Sequence, residues 1–134
     1  MKVVIDTNVF VSSFFGGHPG KVFQLWKSGL IVWCLSGDIL DEYINVLNRL
    51  GLKDEKEIEE LLRLFKQGIH VLFTRKPRKL QVVEKDPDDD KFFECALALG
   101  AHAIISGDKA VLAVKHYRGI HVYAPGEFVA LFEG

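Results

Sequence analysis

Short apolar runs rich in β-branched residues, set between amphipathic stretches, constrain this chain more than any other feature. Val3-Val4-Ile5 and Ala103-Ile104-Ile105 are uninterrupted and apolar, as expected of strands buried on both faces. Leu30 to Leu35, Ile69 to Phe73 and Ile120 to Tyr123 read as three more strands. Between them the period changes. From Ser36 to Leu50, Leu40, Tyr43, Ile44 and Leu47 recur at i, i+3, i+4 and i+7, which predicts a helix ended by Gly51. From Asp54 to Lys66, Ile58, Leu61, Leu62 and Phe65 repeat that spacing, with a solvated polar face and Gly68 as the stop. Shorter helices are expected over Val9–Val11, Lys21–Ser28, Lys91–Leu99 and Val111–Leu112, and from Pro125 onward. Gly16 to Gly20 reads as a loop, and Thr74 to Lys85 as irregular. Strands that alternate with helices predict an α/β fold on a mainly parallel sheet.

At 134 residues the chain is expected to form a single domain, long enough to hold a core without disulfides or structural metal. Cys34 and Cys95 sit in apolar surroundings and read as buried, reduced thiols, with no zinc-ligand spacing. No basic start leads into an apolar run, and no apolar stretch reaches the ~20 residues of a membrane span. A soluble cytoplasmic protein is therefore expected. Lys+Arg is 17 and Asp+Glu is 18, for a net charge of −1. That balance excludes a histone-like basic binder and an acidic disordered tail, but not a nucleic-acid partner.

Open parallel sheets gather their sites beyond the carboxyl ends of the strands. Asp6 directly follows the first strand, and Asp108 comes two residues after Ser106. Asp89 opens the helix leading to that later strand, and Glu42 lies early in the helix after the second strand. Glu42 falls about 40° from Val46, at the edge of the apolar face. Asp89 precedes Phe92 and Phe93 by three and four residues, which turns it inward. Asp88 falls on the other edge of that face, as a second choice, and Asp90 is expected to point outward. Each acid also has a purely structural use, as a turn or helix cap or as a partner of the helix dipole. Their shared end of the sheet favours a site. Four converging carboxylates stay ionised only if cations neutralise them. Oxygen-only ligands favour Mg²⁺ or Mn²⁺. A metal pair ~4 Å apart stabilises the attacking and leaving oxygens of a phosphodiester displacement. Metal-dependent phosphate chemistry is the expectation.

Four segments carry a resemblance. Val4-Ile5-Asp6-Thr7-Asn8-Val9 resembles the opening of the PIN-domain nucleases, and Leu40-Asp41-Glu42-Tyr43 fits that family's second acid. Asp86-Pro87-Asp88-Asp89-Asp90-Lys91-Phe92 is similar to its third, and Ile104-Ile105-Ser106-Gly107-Asp108-Lys109 to its fourth. The likeness spans about residues 2 to 129 and is nearest to small prokaryotic PIN proteins of toxin–antitoxin pairs, relatives of the VapC ribonucleases. It implies a three-layer α/β/α sandwich and Mg²⁺-dependent endonucleolytic cleavage of single-stranded RNA. It also implies a possible antitoxin partner and a homodimer or higher homo-oligomer. Carried over by position, the acids are Asp6, Glu42, Asp89 and Asp108, with Asp88 as a further metal ligand. Asn8 would steady Asp6 by hydrogen bonding, and Ser106 would stand near the metal. The aspartate run is denser than the family's single third acid.

Substrate contacts are less legible. Arg75-Lys76-Pro77-Arg78-Lys79 carries four positive charges in five residues, which suits either a phosphate-holding loop or a solvated one. Lys109 and Lys115 would help if they face the cleft. His18, His70, His102, His116 and His121 show no ligand spacing, and Trp26 and Trp33 read as core or subunit contacts. Two rivals remain. One is a non-catalytic module of the same fold that binds RNA or a protein. The other is a phosphatase with Asp6 as covalent nucleophile, weakened because Asn8 stands where such enzymes carry a second Asp.

Overall fold

In the computed structural model, which describes residues 1–52 and 55–133, six strands form one sheet. They are β1 (Lys2–Ile5), β2 (Val32–Ser36), β3 (Val71–Thr74), β4 (Ala103–Ile105), β5 (His116–Tyr117) and β6 (Ile120–Tyr123), ordered β3-β2-β1-β4-β6-β5. All neighbours pair in parallel except β5 and β6. Val3 to Ile5 and Ala103 to Ile105 are fully buried, because crossover helices cover both faces of a parallel sheet. The α-helices among the described residues are α1 (Thr7–Ser12), α2 (Gly17–Lys27), α3 (Gly37–Arg49), α4 (Lys56–Gln67), α5 (Asp90–Leu99), α6 (Lys109–Leu112) and, after the last strand, α7 (Pro125–Ala130). The result is the expected three-layer α/β/α sandwich. No helix among the described residues is long and apolar enough to cross a membrane.

Three local expectations need correction. Gly16 to Gly20 is not a loop, because α2 already starts at Gly17. Gly16 makes the sharp entry at φ +90°, a conformation that suits glycine, and Pro19 sits in the first turn, where a helix has no use for its missing N–H. The strand β5 was not anticipated. It forms with β6 a hairpin whose two turn residues, Arg118 and Gly119, both have positive φ (48° and 82°). The strands β2 and β3 start two residues later than expected. The predicted start of the following helix at Asp54 lies outside the described residues.

The aromatic core fixes α3 against the end of β1. Trp26 and Trp33 are both buried, edge to face at 5.1 Å between centroids. Tyr43 stacks on Phe10 at 4.0 Å. The Tyr43 hydroxyl donates to the carbonyl of Ile5 and accepts from Trp33 Nε1 at 3.3 Å. A helix that carries Glu42 is thereby tied to the strand residue just before Asp6. Cys34 and Cys95 are free and buried, as expected. Burial pushes the Cys34 thiol up to about 11, so it stays neutral and unreactive.

Candidate active site

The chain leaves β1 toward β2 on one side, and leaves β4 toward β6 on the other. The crevice at the carboxyl ends of β1 and β4 is the topological switch point, where open α/β sheets bind ligands. Asp6 and Ser106 lie there. The Asp6 amide donates to Ile105 O at 2.9 Å, which extends the β1–β4 ladder by one bond. The Asp6 side chain caps α1, with Oδ1 accepting from the Val9 amide at 2.9 Å, and its Oδ2 accepts from the Ser106 hydroxyl. Capping and site are thus one arrangement here. Burial raises the Asp6 pKa, opposed by the Ser106, Val9 and Gly107 hydrogen bonds.

Ser106, fully buried, also accepts from the Asp108 amide at 3.0 Å. Asp108 in turn caps α6 through the Ala110 amide at 2.8 Å. One hydroxyl therefore links the first acid to the last. Glu42, in the second turn of α3, is held at both oxygens, by the Thr7 hydroxyl on one and the Lys91 ammonium on the other. Lys91 lies 3.3 Å from Asp88 as well. Burial lowers the Lys91 pKa, but the bond to Glu42 and the charges of Glu42 and Asp88 outweigh it and leave the value raised.

Asp6, Glu42, Asp89 and Asp108 line one cleft of about 220 Å³, together with Thr7, Asn8 and Arg49. All four sequence-predicted acids are brought together. Asp88 is not among them, since it opens onto the adjacent groove and is 77% exposed. Asn8 lines the cleft, but the two oxygens of Asp6 are taken by Val9 and Ser106 instead. Asp90 does not point outward. It is buried, and its Oδ1 accepts from the amides of Val82 (3.0 Å) and Val83 (2.7 Å). Glu94, one turn further, accepts from Leu80 at 2.9 Å. The irregular stretch after β3 is thus strapped to α5 by two carboxylates.

Sequence reasoning missed Asp86. Its Oδ1 accepts from the Asp88 amide at 3.2 Å and starts a 3₁₀ turn over Pro87–Asp89. That turn brings Asp86, Asp89 and Asp108 together, each with a carboxylate oxygen within 4.8 Å of the others. An Asp before Pro, two residues ahead of another Asp, is the pattern that signals such a side-chain-capped turn. Lys91 and Thr7 were also missed; only their placement beside Glu42 reveals them. Asp89 Oδ2 is buried with no hydrogen-bond partner among the described residues, an expensive state for an acceptor. Burial, then Asp86, Asp108, Asp6 and Glu42, push the Asp89 pKa up to about 7. An unsatisfied, all-oxygen donor set under mutual repulsion fits a hard divalent cation.

A larger groove of about 890 Å³ adjoins the cleft and shares Glu42, Val46 and Arg49 with it. Lys79 lines that groove, 3.3 Å from Asp38 and 3.7 Å from Glu94, while Arg75, Lys76 and Arg78 are exposed. Lys109 lines a depression on the other flank, beside Asp108. Among the described residues, no histidine joins a metal-competent cluster.

Comparison with known proteins agrees with this geometry. The family model described as PIN domain matches residues 2–110, which include every acid of the cleft. An uncharacterized protein of Methanocaldococcus jannaschii is 34% identical over 147 residues, covering 99% of this chain and 92% of that protein. With the acids at the switch point of a parallel sheet and the match running through all of them, the chain belongs to the PIN-domain family.

Proposed function

We propose that the chain is a metal-dependent endoribonuclease that hydrolyses phosphodiester bonds of single-stranded RNA. The observation that carries this reading is the partnerless, buried Oδ2 of Asp89, beside Asp86 and Asp108 in a PIN-domain cleft. Asp89, Asp108 and Asp86 would hold Mg²⁺ or Mn²⁺, with Asp6 and Glu42 completing the acidic wall. Such an ion supplies charge neutralisation at a phosphoryl oxygen and a lowered water pKa. Ser106 orients both Asp6 and Asp108 through its single hydroxyl. Arg49, at the junction of cleft and groove, and the Arg75–Lys79 loop offer cations to flanking phosphates without reading sequence. A role as the toxin of a toxin–antitoxin pair, with a homodimeric chain and a protein antitoxin, follows from the same likeness.

The test is incubation with end-labelled single-stranded RNA, and in parallel single-stranded DNA, across graded Mg²⁺. Cleavage of RNA that disappears in excess EDTA is expected. The D6N variant, in which Asn retains the capping oxygen for Val9, is expected to fold and to lose cleavage at least a hundredfold. RNA bound but never cut would replace the nuclease by a non-catalytic binding module.

A further inference from the structure

We propose that Lys91 is a resident cation of the acidic cluster: its ammonium holds Glu42 where a second divalent ion would sit, so the cleft takes one ion, on Asp86, Asp89 and Asp108. The carboxylate oxygens fall into two groups. Those of Asp6 and Glu42 are all engaged by protein donors: the Val9 amide, Ser106, Thr7 and Lys91. The open oxygens lie on the other side, where Asp89 Oδ2 has no partner among the described residues and one carboxylate oxygen each of Asp86, Asp89 and Asp108 lies within 4.8 Å of the others.

Lys91 is built into its place. It sits in the first turn of α5, its side chain is only 13% exposed, and its ammonium lies 6.0 Å from the Phe92 ring centroid. Leaving Glu42 would break the bond to that residue and the 3.3 Å approach to Asp88 together. A charge with two anionic partners and little solvent is not readily displaced. A divalent ion at Glu42 would have to expel the ammonium or sit against it, with like charges in contact. At the opposite end of the cluster, no Lys or Arg among the described residues forms an ion pair with Asp86, Asp89 or Asp108. Glu42 is then a positioning residue, presented by Lys91 and Thr7, and the cation count of the site is partly written into the chain.

This inference rests on the reading of the cluster as a metal centre, and it holds or fails apart from RNA cleavage. The full chain, freed of metal with EDTA and exchanged into chelator-free buffer, is titrated with Mn²⁺. Ions are counted by calorimetry and by the electron paramagnetic resonance signal of free Mn²⁺. One ion per chain is expected for the wild type and for K91R, which keeps the charge. K91Q is expected to take a second, weaker ion. K91M, which keeps the buried stem, serves if K91Q does not fold. Two ions in the wild type, none at all, or a count that stays at one without the Lys91 charge, would overturn the proposal. A chain that shows the Lys91-dependent count yet cuts no RNA refutes the nuclease reading alone.

Discussion

Replacing Asp89 by Asn is expected to stabilise the metal-free fold at pH 8 and to leave it unchanged near pH 4. The folded chain holds the Asp89 proton up to about pH 7, whereas an unfolded aspartate releases it near ~3.9. Between those values the native state binds more protons than the unfolded one, so stability falls as pH rises through the window. The full gap corresponds to ~4 kcal/mol at ~1.4 kcal/mol per pH unit. Solvent screening at this partly exposed carboxyl reduces the expected effect to ~2 kcal/mol, on the order of 8 °C in Tm for a chain of this size. Asn cannot ionise, and no α5 cap bond is lost, since the Asp89 side chain makes none. The assay is urea unfolding of both proteins in EDTA at pH 4, 6 and 8. The advantage of D89N should open from zero and level off above pH 7. Adding Mg²⁺ at pH 8 should narrow or reverse it, because only the wild type retains the full ligand set, and binding stabilises the native state by mass action. A difference that does not vary with pH, or a D89N chain less stable than wild type at pH 8 in EDTA, would refute the reasoning.

Other expectations follow from single contacts. D90A strands the Val82 and Val83 amides and should cost ~2–4 kcal/mol in urea unfolding, unlike a change at an outward aspartate. Y43F removes the donor to Ile5 and the acceptor for Trp33, so a loss of ~1–2 kcal/mol is expected, read by thermal denaturation. The pair K76A/R78A should reduce the salt slope of RNA binding by roughly 1.4, as followed by anisotropy with the cleavage-deficient D6N background. An unchanged slope would make that loop a solvated one.

Most of the fold was legible because burial writes periodicity into sequence. Val3-Val4-Ile5 and Ala103-Ile104-Ile105 could only be interior strands, and α3 and α5 displayed their inward faces. The convergence of Asp6, Glu42, Asp89 and Asp108 was legible for the same reason, through the rule on strand ends. What escaped depends on contacts distant in sequence. Asp90 looked outward on a helical wheel, but it opens α5 where the strap after β3 crosses, and orphan amides there draw the carboxylate inward. Asp86 was hidden because its part is set by a 3₁₀ turn, whose geometry helical spacing does not describe. Lys91 looked like any charged residue of a first turn until Glu42, 49 positions earlier, was placed beside it. The hairpin at β5 had no Asn-Gly or Asp-Gly signal, only Arg118-Gly119.

The bond between Ser106 and Asp6 closes a loop of 100 residues, and that sets a schedule for activity. During synthesis the N-terminal part emerges first, and β1 can pair with β2 long before β4 exists. Non-local closures of this kind are slow steps, since loop entropy must be overcome before the contact is made. Until β4 docks, Asp6 lacks its hydroxyl partner, and Asp108 and Ser106 are not yet in place. A nascent or truncated chain that stops short of β4 therefore carries Asp6, Glu42, Asp86 and Asp89 but neither Ser106 nor Asp108, and no completed centre. On the proposed reading as a nuclease, the fold itself delays competence until β4, Ser106 and Asp108 have left the ribosome.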